Sequence, residues 1–290
     1  MNKKIITPLI CLAIVALACG GTVPSASQPN LETVVAATLQ AITQQAANNP
    51  AATSQPEATG ISVSFQNVQF VIPEGLASGA SSEVIPAADE ASGGPWGVAP
   101  EYIEFVLMDY SPRDEFRPPV IRIYPAQEYA AVNSWAQSSL VKLQAILASP
   151  SMPLTNENLP TIPFNGAAAQ QYAAQAKIIS FANGSGVRMT SQYAQFPGPI
   201  LKDGSYYHYE GLTNDGKYMV AIMVPVTLPI QATAENPSAD GVVYPSDISD
   251  TIALDAYFQG VTDLLNAATP DSFQPNLNVL DALIQSIQIK

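Results

Sequence analysis

His208 is the single histidine of the 290-residue chain, so any serine-histidine-acid machinery has to be built on it. It stands in Tyr206-Tyr207-His208-Tyr209-Glu210. Strand alternation puts Tyr207 and Tyr209 on one face and Tyr206, His208 and Glu210 on the other. That reads first as strand packing, and second as a small polar patch with one member that titrates near neutral pH. Ser139 and Lys142 form a Ser-x-x-Lys pattern, the spacing at which a lysine one turn on takes the serine proton. The companion elements of that chemistry are a Ser-x-Asn and a later Lys-Thr-Gly. Only Lys202-Asp203-Gly204 followed by Ser246-Asp247-Ile248 stands in for them, in reversed order and with the wrong residues. Ser139 and Lys142 are therefore expected on a polar helix face. Asp247, Asp250 and Asp255 lack the Asp-x-Asp-x-Asp-Gly order of a calcium loop, and the first two fit better as caps of the helix that follows. There is no Gly-x-Ser-x-Gly elbow, phosphate-binding loop or His-Glu-x-x-His helix. The sequence assigns no catalytic residue, no metal ligand and no cofactor. The abundant acids keep a carboxylate-dependent hydrolase as the alternative, since such chemistry needs two carboxyl groups about 5 to 10 Å apart.

Cysteine chemistry rests on Cys11 and Cys19. Met1-Asn2-Lys3-Lys4 is a short positive start, and Ile5 to Ala18 follow without a charge, the order of a secretory signal peptide. A membrane span needs about 20 apolar residues, and no later stretch is both that long and free of polar residues. The run ends Val15-Ala16-Leu17-Ala18-Cys19-Gly20-Gly21, which resembles the lipobox of bacterial lipoproteins. The usual leucine three positions before the cysteine is Ala16 here, with Leu17 one place later. The resemblance implies removal of residues 1–18 as signal peptide and a diacylglyceryl group on the Cys19 thiol. One acyl chain binds a bilayer marginally and two anchor stably, so Cys19 is the expected lipid attachment site and membrane anchor. With Cys11 removed and Cys19 acylated, the mature chain has no cysteine for a disulfide, a thiolate nucleophile or a zinc site.

Lysine and arginine total 11 against 24 acids, a net charge of −13 that cleavage takes to about −15. Phosphate backbones repel such a chain, so nucleic acid is not an expected partner. The expected partners are a membrane, through the lipid on Cys19, and an unknown protein or small-molecule ligand. The expected location is outside the cell, on the outer face of a bacterial membrane.

Residues 19–60 carry few charges and read as a tether. Within it, Leu31, Val34, Val35, Leu39, Ile42 and Ala46 fall at helical spacing. That segment is open to lying on the membrane, to pairing with a partner helix, or to being a transient helix in a linker. From Ile61 the pattern becomes that of an ordered domain, 61–290. Ile61 to Phe65 and Val68 to Pro73 alternate around Gln66-Asn67 and predict a hairpin. Residues 76–100 read as a long surface loop with Trp96 folding back on the core. Tyr102 to Met108 and Val120 to Tyr124 are strands, and Pro118-Pro119 fits only a strand start or an edge. Ala126 to Ala148 reads as one helix with Trp135 on its apolar face. Ala173 to Phe181, Val187 to Phe196, Tyr206 to Leu212 and Tyr218 to Val226 predict an antiparallel meander. Asn183-Gly184 and Asp215-Gly216 mark two of its turns, where glycine accepts a positive φ. Helices at Ile252 to Leu265 and Asn276 to Ile284, then a short strand to Ile289, complete an α+β domain.

Three stretches are similar to the PsbP-like α+β domain of exported and thylakoid proteins. They are Val68-x-Phe-x-Ile-Pro-x-Gly75, the strand pair around Asp215-Gly216-Lys217-Tyr218, and Leu280-x-x-Leu283-x-x-Ser286-Ile-x-Ile289. The aromatic that often follows the first Pro-x-Gly is Leu76 here. The resemblance implies an accessory or binding protein rather than an enzyme.

Overall fold

The computed structural model describes residues 59–290 apart from 115–116, 163–167 and 239. The signal peptide, Cys19, and the tether with its segment from Leu31 to Ala46 lie outside the described residues. Alternating side chains form the opening hairpin as expected: β1 (Gly60–Phe65) pairs antiparallel with β2 (Val68–Pro73), with Phe65 opposite Val68. Next come β3 (Gly79–Ile85), the short α1 (Glu90–Gly93), β4 (Tyr102–Met108) and β5 (Val120–Pro125). The helices α2 (Ala126–Val132) and α3 (Ser134–Ala148) precede the meander of β6 (Ala169–Phe181), β7 (Gly184–Ala194), β8 (Ser205–Thr213) and β9 (Tyr218–Val226). The chain closes with α4 (Thr251–Ala267), α5 (Leu277–Gln285) and β10 (Gln288–Ile289).

These strands make two antiparallel sheets, so the described chain is a mixture of helix and sheet. The larger has the order β3-β4-β5-β9-β8-β7-β6, and the smaller β1-β2-β10. β9 lies at the centre of the larger sheet and is buried from Met219 to Val226, which is why it reads as a continuous apolar run rather than an alternating one. One face of the large sheet, carrying Phe105, Ile123, Tyr209 and Ile222, packs against the small sheet, α4 and α5. Phe70 meets Phe105 edge-on there, with ring centroids 5.0 Å apart. The opposite face, carrying Tyr124, Val187, Met189 and Ala221, is covered by α2 and α3. Each fully buried side chain of this size is worth about 1.5 to 3 kcal/mol, so two apolar layers hold the sheet from both sides. Among the described residues no helix is long and apolar enough to cross a membrane.

Three expectations need correcting. Residues 76–100 are not one loop, because β3 forms within them and pairs along its whole length with β4. Its Gly-Ala-Ser-Ser-Glu sequence carries no apolar alternation, since it is an edge strand whose middle faces solvent. The helix from 126 to 148 is two helices. Asn133 adopts extended φ −135° and ψ 115°, ends α2, and caps α3 by accepting from the amides of Trp135 and Ala136 at 3.0 and 3.1 Å. That break resets the helical phase, so Trp135 is 46% exposed rather than in the core. The third correction concerns Gly184, whose φ is not positive, whereas that of Gly216 is 70°. Glycine is needed at 184 for space: a Cβ there would strike the Phe181 ring and the Leu212 carbonyl.

Candidate functional site

β8 splits its side chains as alternation demands. Tyr207 and Tyr209 face the small sheet and α5, while Tyr206, His208 and Glu210 face α3. His208 and Glu210 are fully buried, at 0% exposure each. Glu210 accepts hydrogen bonds from the Ser139 hydroxyl of α3 and from the Ile162 backbone N–H. His208 Nε2 lies 3.1 Å from Glu210 Oε1, and Nδ1 lies 2.6 Å from the Tyr193 hydroxyl on β7. With a neutral imidazole, Nε2–H donates to Glu210 and Nδ1 accepts from the Tyr193 hydroxyl, which also approaches Gln170 Oε1 at 3.4 Å. The order is thus serine, carboxylate, histidine, tyrosine. In a nucleophilic triad the serine must face the imidazole; here it faces the carboxylate, inside the core. This network ties α3 and the segment at Ile162 to the sheet.

The other candidates separate. Ser139 lies on the buried side of α3, not on a polar face, and Lys142 donates to the Leu159 carbonyl at 3.3 Å instead of approaching it. Asp250 caps α4 by accepting from the Ala253 amide at 3.0 Å, as expected. Asp247 accepts from the amide and hydroxyl of Ser249 in the turn before it. Asp255 is exposed on α4. Among the described residues no three acids, cysteines or histidines come together as a metal site.

Sequence reading missed a cavity of about 280 Å³ on the α2 side of the sheet. Tyr102 on β4, and Arg122 and Tyr124 on β5, reach it because register and parity put them on one face. Tyr129 enters from α2 and stacks on Tyr124, with ring centroids 4.2 Å apart; Tyr124 in turn lies 4.5 Å from Tyr102. Arg122 is fixed on two sides. Its Nε donates to Glu104 at 2.7 Å, and its guanidinium sits 5.7 Å from the centroid of the Tyr102 ring, a cation–π arrangement. Arg117, Ala99, Ile162 and Trp96 complete the parts of the wall that matter here. Trp96 is 39% exposed, so it folds back on this cavity rather than into the core. Its strand of backbone is held by Asn133, whose Nδ2 donates to the Val98 carbonyl at 2.9 Å.

The two features share a wall, because Ile162 lines the cavity while its amide binds Glu210. Burial, and next the nearby Glu210 charge, push the Tyr129 hydroxyl well above the ordinary tyrosine range. Burial also raises the Tyr102 hydroxyl, and pushes that of Tyr124 well above the ordinary range. All three are neutral hydrogen-bonding rings at neutral pH. The sequence signal that could have pointed here is Arg122-Ile-Tyr124, a cation and an aromatic two residues apart on one strand face. No family model matches the chain, and neither a curated protein nor a solved structure matches it.

Proposed function

We propose that this chain is a bacterial lipoprotein, cleaved before Cys19 and held by lipid on the outer face of a membrane. Its domain is a non-enzymatic binding module that takes a small molecule into the cavity of Trp96, Tyr102, Arg122, Tyr124 and Tyr129. The observation that carries the binding reading is a contrast. Ser139, His208 and Glu210 are sealed in the core and occupied with one another, while a partly open cavity is lined chiefly by aromatic rings, with Arg122 held to Glu104 at its wall. No carboxylate is among the described residues of its lining, so nothing specific favours the hydrolase alternative. The net charge of −13 supports a partner other than nucleic acid.

The α+β class, with PsbP-like kinship, belongs to the same proposal. Two of the three similar stretches meet in space, since β10 pairs with β2 through Gln288 opposite Gln69 and Ile289 opposite Val68. Changing Cys19 to Ser is expected to release the exported protein from the membrane fraction. If it still sediments with lipid, the segment from Leu31 to Ala46 holds it and lipidation is not the anchor. On the binding side, a small-molecule extract of the cell envelope should raise the melting temperature of the wild-type protein. It should do so less for Trp96→Ala, because only a ligand of the folded state shifts unfolding. An equal shift in both proteins would move the ligand elsewhere.

A further inference from the structure

We infer that the domain rests on the bilayer surface at the end where β1 begins, through an apolar patch of Phe196, Val243, Ile248 and Ile252. This rests on reading Cys19 as the lipid attachment site. Exposure comes first. Scattered apolar side chains are normal on a protein surface, whereas a cluster of them marks an interaction site. Of the five most exposed large apolar residues among those described, four are these, at 70%, 72%, 53% and 82%.

Contacts bring the four together. Phe196 lies in the loop between β7 and β8, Val243 and Ile248 in the loop before α4, and Ile252 in the first turn of α4. The Tyr244 hydroxyl donates to the Pro197 carbonyl at 3.4 Å, and the Tyr257 hydroxyl of α4 accepts from the Ile200 amide at 2.8 Å. Tyr244 also meets Tyr257 edge-on, with ring centroids 5.1 Å apart. The backbone beneath the patch is thus pinned while its apolar side chains stay outside. Pro197, Pro199 and Pro245 in the same loops have no amide hydrogen to desolvate at a lipid surface.

The strand registers place this end of the domain. Ser205, which follows the β7–β8 loop, pairs with Val226, and the Tyr110 hydroxyl donates to the Pro225 carbonyl at 2.8 Å. Two residues before Tyr110, Met108 pairs with Gly79, which follows Pro73 by one turn, and Pro73 pairs with Gly60. β1 therefore starts at the patch end, and residues 19–59 join that start to Cys19. Ile61 and Met108, also exposed, extend the apolar rim there.

Charge decides the kind of surface. Residues 195–204 and 227–250 carry one cation, Lys202, against Asp203, Glu235, Asp240, Asp247 and Asp250. Anionic headgroups repel such an end, so the contact is apolar and suits zwitterionic lipid. The same charge opposes pairing with a second copy. A weak contact is enough, because a lipid on the same chain makes it intramolecular.

The test uses the full lipid-bearing protein, purified from membranes and reconstituted into phosphatidylcholine vesicles with plain or brominated acyl chains. Bromine quenches a tryptophan that touches lipid. The native tryptophans serve as the control: Asn133 Nδ2 donates to the Trp96 carbonyl at 3.4 Å, Trp135 follows Asn133, and this region adjoins the start of β4, at the other end from Met108. Wild-type emission should not change with bromine. The emission added by Phe196→Trp is expected to fall at least about twofold, and Ile252→Asp in the same protein should remove most of that quenching, since a carboxylate resists the apolar layer. Added emission that bromine leaves unchanged, in protein that floats with the vesicles, overturns the inference and keeps the anchor. Equal quenching of the native tryptophans overturns it too. If the added emission shifts to the blue as protein concentration rises without lipid, a second copy covers the patch and the inference is wrong. Protein that does not float with the vesicles removes the anchor and the inference together.

Discussion

Replacing Asp281 with Asn is expected to lower the unfolding free energy by about 3 to 5 kcal/mol, seen as a lower midpoint in denaturant. Asp281 lies on α5 and is 5% exposed. Its Oδ1 accepts from the Tyr207 hydroxyl at 2.7 Å and lies 3.4 Å from Arg188 Nε, while Lys177 Nζ approaches Oδ2 at 3.7 Å. Arg188 is as deeply buried, and its Nε and Nη1 lack hydrogen-bond partners. The guanidinium is therefore held by charge rather than by directed hydrogen bonds. Once the carboxylate becomes an amide, Arg188 is a cation in the core with no counter-charge at its side. The neutral amide keeps an acceptor for Tyr207, so the loss measures charge and not shape. A double variant, Asp281→Leu with Arg188→Met, should regain most of the stability, because apolar replacement of both partners removes the desolvation cost as well. Lys177→Gln should cost less than about 1 kcal/mol, since Lys177 is mostly exposed. A single Asp281→Asn loss as small as that of Lys177→Gln would show that the buried pair contributes little.

The second large effect is expected at Glu210. Its side chain satisfies the Ser139 hydroxyl, the Ile162 amide and His208 Nε2, all of them buried. Glu210→Ala strands these donors and is expected to cost about 3 to 5 kcal/mol, with each unsatisfied group costing about 1 to 3 kcal/mol before relaxation. Glu210→Gln should cost less, because one amide oxygen still accepts while the amide nitrogen faces donors. Both variants should speed hydrogen exchange at Ile162, whose amide loses or weakens its acceptor. Because Ile162 also lines the cavity, Glu210→Gln should reduce ligand affinity as well as stability. Unchanged exchange at Ile162 in Glu210→Ala would mean that the network does not hold that segment.

The sequence made the strands with regular alternation legible, and with them the division of Tyr206, His208 and Glu210 from Tyr207 and Tyr209. What a strand faces is a local property, set by period two alone. Which strands become neighbours is not local. Glu104 and Arg122 stand directly opposite each other only because β4 pairs with β5 in one register, and Tyr129 joins them because α2 follows β5 directly and lays Tyr129 on Tyr124. Asn133 itself sits within an apolar run whose spacing reads as uninterrupted helix. Its capping role shows only once its side chain is seen accepting from Trp135 and Ala136. Trp135 leaves the core for the same reason: a single residue of extended backbone changes which side of the next helix faces it. β3 was hidden by composition, being a polar edge strand recognisable by its pairing and not by its residues. The cavity draws on β4, β5, α2 and two loops, so no single stretch of sequence announces it.

We propose above that the domain holds a small molecule among Trp96, Tyr102, Arg122, Tyr124 and Tyr129. Native mass spectrometry of the protein taken gently from its own membranes tests this most directly. The expected result is a population heavier than the apo mass by one small-molecule ligand, lost on denaturation and reduced in Trp96→Ala. A wild-type protein carrying no adduct, or an adduct equally abundant in Trp96→Ala, would contradict it.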